Sequence, residues 1–262
     1  MRTVPAATPS TTATTATTGR GLPPEAWQAA LAAAPALPEP PPAGTRVVVV
    51  AAHPDDETLG AAGLLLRLAV RGVGVHLVVA TDGEAGYPGR SPAERSALGA
   101  RRRGETRRAL AAVGHPHVRP DHVGLPDGEL AGHEDRLARE LTDALAGAAL
   151  CLLPWERDPH PDHRAAGRAG LRAAAALRER GHAIAVWRYP IWMRHATPPR
   201  DAPPDLHALR LLTEEVAAKR DAVACHASQV RSPYEDCGPV LPAHVLALFE
   251  DGVEPFLVAG PG

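Results

Sequence analysis

A three-layer α/β/α sandwich is predicted by three observations. Short Val- and Leu-rich runs alternate with longer segments of helical character from Arg46 to Tyr189. The apolar runs are nearly continuous, as expected of strands covered on both faces of a mostly parallel sheet. Clusters of ionisable residues directly follow two of these runs, where open α/β sheets place their ligands, beyond the carboxyl ends of the strands.

The elements follow in order. Arg46 to Ala52 reads as a strand, Thr58 to Arg71 as a helix and Gly74 to Ala80 as a second strand, a spacing that fits a right-handed βαβ unit. A helix over Ser91 to Val113 has Ser91 as N-cap, Pro92 at its first position and Gly114 as its stop. An extended piece around His117 to Leu125 comes next. Glu134 to Ala146 reads as helix, Ala149 to Pro154 as strand, Asp162 to Arg180 as helix and Ala183 to Tyr189 as strand. This alternation defines a Rossmann-like sheet buried between helices. Beyond Pro190 the pattern loosens into Pro-rich segments with helices at Thr213 to His226 and near Pro242 to Phe249, and this region is expected to line one rim of the site.

At the other end, residues 1–21 contain a Thr/Ala run and are expected to form a disordered tail. Residues 22–44 read as a Pro-rich lead-in with a short helix, Pro24 to Ala34, and residues 45–262 as one domain.

Hydrophobic residues make up 45% and charged residues 22% of the chain, ordinary globular usage. Lys and Arg number 28 against 30 Asp and Glu, a net charge of -2, so there is no basic field to hold nucleic acid or anionic lipid. Cys151, Cys225 and Cys237 are odd in number, far apart and without a CxxC pair, which reads as reduced thiols. With no apolar run of spanning length and no hydrophobic leader, the expected setting is the cytoplasm.

After the first strand comes His53-Pro54-Asp55-Asp56-Glu57. After the strand ending at Pro154 comes Asp158-Pro159-His160-Pro161-Asp162-His163. Both should meet at one edge of the sheet. His53 and Asp56 supply a nitrogen and an oxygen, and His160 or His163 adds a second imidazole. Three protein ligands leave positions open for water or substrate, as in a catalytic metal site. Asp55, diverging from Asp56, is then free to act as a base. The plain alternative makes HPDDE a helix N-terminus whose acids face the dipole, but two His/Asp motifs at two strand ends favour a site. Trp155, Trp187, Tyr189 and Trp192 divide between core packing and stacking on a ligand.

AHPDDETLG (52–60) and HPDH (160–163), supported by ATDGE (80–84), RRGE (102–105), GLPDG (124–128) and KRDAVACHASQ (219–229), resemble the LmbE-like, or PIG-L, metal-dependent deacetylases, which remove acetyl groups from N-acetylglucosamine-type sugars. The resemblance implies that His53, Asp56 and His163 bind one divalent metal, zinc or alternatively iron(II). It implies Asp55 as general base, and His160 as the charged partner of the oxyanion or the acid for the leaving amine, oriented by Asp162. Arg102, Asp127 and His226 fall where the family contacts its sugar. The implied partner is a small amino-sugar conjugate, and a homo-oligomer is expected. Two rivals stand beside this reading: a non-haem iron oxygenase using the same His/Asp/His set, and a sugar-binding protein without turnover.

Overall fold

The computed structural model describes residues 21–258. The tail expected over 1–21 lies outside them except for Gly21. Seven strands, β1 (Arg46–Ala51), β2 (Gly74–Thr81), β3 (Asp121–Leu125), β4 (Leu150–Pro154), β5 (Ala185–Tyr189), β6 (Leu206–Arg210) and β7 (Val253–Val258), form one sheet in the order β3-β2-β1-β4-β5-β7-β6. The first five run parallel, and β7 pairs antiparallel with both β5 and β6. In chain order the helices are α1 (Gln28–Ala33), α2 (Asp56–Val70), α3 (Pro92–Ala112), α4 (Glu134–Leu145), α5 (Pro161–Glu179), α6 (Met193–Ala196), α7 (Thr213–Cys225), α8 (Ala227–Val230) and α9 (Ala243–Leu246).

Strand β1 explains the three layers. Successive side chains of a strand point to opposite faces. Accordingly Val47, Val49 and Ala51 pack with Leu64, Leu68 and Leu110 of α2 and α3, while Val48, Val50 and Ala52 pack with Leu137, Leu141 and Ala169 of α4 and α5. Both β1 faces are dry, which is why its sequence shows no polar alternation. Helix α3 begins as expected: Ser91 Oγ accepts the Glu94 N–H and Glu94 Oε2 accepts the Ser91 N–H, a reciprocal cap.

The antiparallel pair β6 and β7 was not foreseen. Pro255 inside VEPFLV argues against a strand. It is accommodated because β5 pairs with β7 only through Trp187 and Arg188, opposite Val258 and Leu257, so Pro255 lies beyond the stretch paired on that side. The lead-in is also more than an approach to β1. Trp27 and Leu31 are buried with Trp155, Met193, Leu206 and Leu257 in a third apolar cluster. Trp27 Nε1 donates to the Thr197 carbonyl (3.1 Å). Among the described residues no helix is long and apolar enough to cross a membrane.

Candidate metal centre and cavity

Strands β1 and β4 are neighbours, and the order of the sheet reverses between them, so the turns that follow both open onto one crevice. The first turn carries His53, Asp55 and Asp56 into α2. The second carries Asp158, His160 and His163 into α5, with His160 as its N-cap.

Asp56 is held by the turn it ends: its Oδ2 accepts the N–H groups of Ala52 (2.8 Å) and His53 (2.9 Å). Its Oδ1 lies 3.2 Å from His163 Nε2, and Oδ2 lies 3.8 Å from His53 Nδ1. His53 Nδ1 and His163 Nε2 face each other at 3.2 Å. Each ring has its other nitrogen against a carboxylate. His163 Nδ1 is 3.0 Å from Asp158 Oδ1, and His53 Nε2 is 3.1 Å from Asp127 Oδ1 and 3.2 Å from Asp162 Oδ2. Carboxylates so placed fix the proton on the outer nitrogens and turn the two lone pairs toward Asp56. Two lone pairs at that separation repel unless a proton or a cation lies between them, so the donor set suits a divalent metal. The imidazole of His160 stands beside both rings, its centroid 4.8 Å from that of His53 and 4.7 Å from that of His163.

The electrostatics reflect the same excess of negative charge. Burial favours the neutral imidazole at His163 but is outweighed by Asp56 and Asp158, which push its pKa up to about 9. His53 is likewise raised, burial being overcome by Asp127 and Asp162. Burial pushes Asp55 up to about 7, against the pull of Arg102. Burial, with His163 and His53 beside it, lowers His160. Because His160 Nδ1 accepts the Asp162 N–H (3.2 Å), the neutral ring carries its proton on Nε2.

Asp55 has φ 128°, the one non-glycine residue with positive φ among those described. Arg102 braces it: one guanidinium nitrogen, Nη2, donates to Asp55 Oδ2 (3.2 Å) and to the Pro54 carbonyl (2.7 Å), and Nη1 donates to the Gly83 carbonyl (2.8 Å). A Cβ on Gly83 would stand 1.8 Å from Nη1, so only glycine lets the guanidinium reach under this turn.

The cluster opens into a cavity of about 370 Å³, lined by all the predicted site residues except Asp162 and His226. The remaining expected residues are placed as follows. Asp162 meets His160 through its backbone N–H, while its carboxylate oxygens take the N–H groups of Gly128 (2.7 Å) and Leu130 (3.2 Å) and face His53. His226 is buried behind α2 with Nε2 on Thr58 Oγ1 (3.0 Å), outside the lining. Arg102 and Asp127 line the cavity but are already engaged, Arg102 as above and Asp127 by His53 and the Ala85 N–H (2.8 Å). The unforeseen member is Asp158, fully buried, which receives the N–H groups of Ile191 and Trp192 (both 2.9 Å) as well as His163. An acid five residues before His163 was the available signal. The rim forms from Ile191, Trp192 and residues 237–241, as the loose C-terminal pattern suggested, and of the four aromatic candidates only Trp192 lines the cavity.

Fold and site together define a doubly wound α/β protein with a histidine–carboxylate cluster, fit for a divalent metal, at the switch point of its sheet. Residues 48–174 match the GlcNAc-PI de-N-acetylase (PIG-L) family. The chain is 31% identical over 243 residues to a 1D-myo-inositol 2-acetamido-2-deoxy-alpha-D-glucopyranoside deacetylase of Nocardia farcinica, covering 77% of this chain and 78% of that protein. The enzyme of the same description from Kineococcus radiotolerans is 31% identical over 204 residues, 64% of this chain, and the match spans only 56% of that relative. The N,N'-diacetylchitobiose deacetylase of Pyrococcus horikoshii shares the fold, with a TM-score of 0.61 at 21% identity over 82% of this chain and 84% of that one. The chain belongs to the PIG-L family.

Proposed function

We propose that this protein hydrolyses the N-acetyl group of an N-acetylglucosamine-type conjugate, releasing acetate and the free amine. The observation that carries the reading is the placement of Asp55, braced by Arg102, beside the His53/Asp56/His163 cluster at the floor of one cavity. His53, Asp56 and His163 would hold the metal, zinc in our reading and iron(II) as the alternative. When bound, such an ion lowers the pKa of water and polarises a carbonyl oxygen.

The chain's own residues account for the proton movements. Asp55 takes a proton from the attacking water as the C–O bond forms. His160, with its proton on Nε2, donates to the oxygen that gains charge as the amide carbon becomes tetrahedral. Collapse breaks the C–N bond, and the proton held by Asp55 passes to the departing nitrogen. Asp158 and the Asp127/Asp162 pair keep His163 and His53 in the tautomers that face the centre. The substrate is a small amino-sugar conjugate, and the three free thiols support a cytoplasmic setting. The iron-oxygenase rival has no support in this fold or family, and the intact Asp55 and His160 speak against a binding protein without turnover.

The test is acetate release from N-acetylglucosamine conjugates, with metal content measured on the same preparation. Release that disappears together with the metal in His163→Ala supports the reading. A metal-loaded parent that releases no acetate from any member of the panel overturns it.

A further inference from the structure

The lining of the cavity divides sharply by charge. Every carboxylate, imidazole and guanidinium on it belongs to the metal end: His53, Asp55, Asp56, Arg102, Asp127, His160 and His163. The rest of the wall carries no formal charge. It is built mainly by Tyr87 and Pro88 from the loop after β2, Ile191 and Trp192 after β5, and Val240 and Leu241 before α9, with Gln229 and Cys237 as its uncharged polar side chains. Among the described residues Arg102 is, apart from the imidazoles, the only cation on the lining, and it is occupied by Asp55 and two backbone carbonyls.

This wall is also tied in place. Tyr87 Oη donates to the Ser228 carbonyl (2.6 Å), and the Leu241 N–H donates to the Gln229 carbonyl (2.9 Å). The rings of Tyr87 and Tyr234 meet edge to face at 5.1 Å. Arg90, the cation next along the first loop, lies over the Tyr234 ring at 3.9 Å and pairs with Asp236. An anionic group entering here would lose water without gaining a countercharge, whereas apolar surface gains by leaving water.

Resting on the deacetylase reading above, we infer that the group attached to the amino sugar is uncharged and largely apolar, seated against Trp192 and Val240, that conjugates carrying a carboxylate or a phosphate at that position are discriminated against for want of a countercharge, and that a polyol is disfavoured because Gln229 alone among the wall's side chains offers an amide to its hydroxyls. Trp192 offers a flat face for an aromatic or alkyl aglycone.

The metal-loaded full chain should be offered N-acetylglucosamine as its benzyl glycoside, its 4-carboxybenzyl glycoside and its inositol conjugate. Binding of the three corresponding free amines is measured in parallel by calorimetry. We expect kcat/KM for the benzyl glycoside to exceed each of the others by about tenfold or more, with the same order of affinity among the amines. Val240→Lys, which sets a cation on the apolar wall, should raise the carboxybenzyl glycoside relative to the benzyl one, and Trp192→Ala should weaken the benzyl amine most. Equal or reversed preference in the parent overturns the inference even if acetate is released. If no conjugate releases acetate the deacetylase reading fails, and the order of amine affinities then decides the inference alone: benzyl tightest upholds it, and any other order, or no binding, overturns it.

Discussion

Lys219 Nζ lies 2.8 Å from Glu254 Oε1, and both side chains are buried. The pair is set into the side of α2: Lys219 also donates to the Leu59 carbonyl (2.7 Å), while the N–H groups of Gly63 (2.8 Å) and Leu64 (3.2 Å) donate to Glu254. Leu59 O and Gly63 N–H are the natural i, i+4 partners of a helix. One ion pair therefore joins α7 and β7 to the helix that begins at the metal end.

Removing one partner should be far worse than removing both. Lys219→Met leaves a buried carboxylate unpaired and should cost about 3–5 kcal/mol. Lys219→Met/Glu254→Leu should recover most of that, because no buried charge is then left without its partner. Denaturant midpoints of the two variants check this, and a double variant no more stable than the single one would count against it.

Asp158→Asn keeps an acceptor for the N–H groups of Ile191 and Trp192 but loses the second oxygen that takes His163 Nδ1–H. The fold should persist while metal affinity falls about 10- to 100-fold. Competition with a graded chelator reads the loss, and circular dichroism verifies the fold.

The neighbours Asp55 and Asp56 should separate cleanly. Asp56→Ala loses the metal first. Asp55→Ala retains it and lowers turnover by roughly 10²- to 10⁴-fold, the usual worth of a placed base. Metal stoichiometry and acetate release on both variants decide the matter. Parent-like turnover in Asp55→Ala would remove it from the mechanism.

Trp27 is fully buried, so Trp27→Ala should destabilise the domain by about 3–5 kcal/mol although the residue lies ahead of β1 in the lead-in. A melting temperature unchanged from the parent would mean that this segment contributes nothing to the core.

The parallel half of the fold was legible because burial on both faces writes an uninterrupted apolar run, as in Val47 to Val50, and because Ser91 and Gly114 punctuate α3. The gathering of His53, Asp56 and His163 was readable from their positions after β1 and β4. What stayed hidden depends on contacts between distant segments. Pro255 looks like a breaker until the partial pairing of β7 with β5 is known. Lys219 reads as one more helical charge until Glu254 arrives from 35 residues away. His226 lies in a motif shared with the family, yet only packing reveals that it faces Thr58 and not the cavity. Asp158 shows its role only once the backbone folds it beneath His163.

The left-handed backbone at Asp55 sets endurance against turnover. A side chain at φ 128° costs on the order of 1–3 kcal/mol, whereas glycine adopts such angles freely and loses only about 0.5–1 kcal/mol in added chain entropy. Asp55→Gly should therefore melt higher than Asp55→Ala, since both variants lose the carboxylate beside Arg102 and differ only at the backbone, while turning over no better than the alanine variant. On the proposed mechanism the aspartate there serves the reaction against the preference of its own backbone.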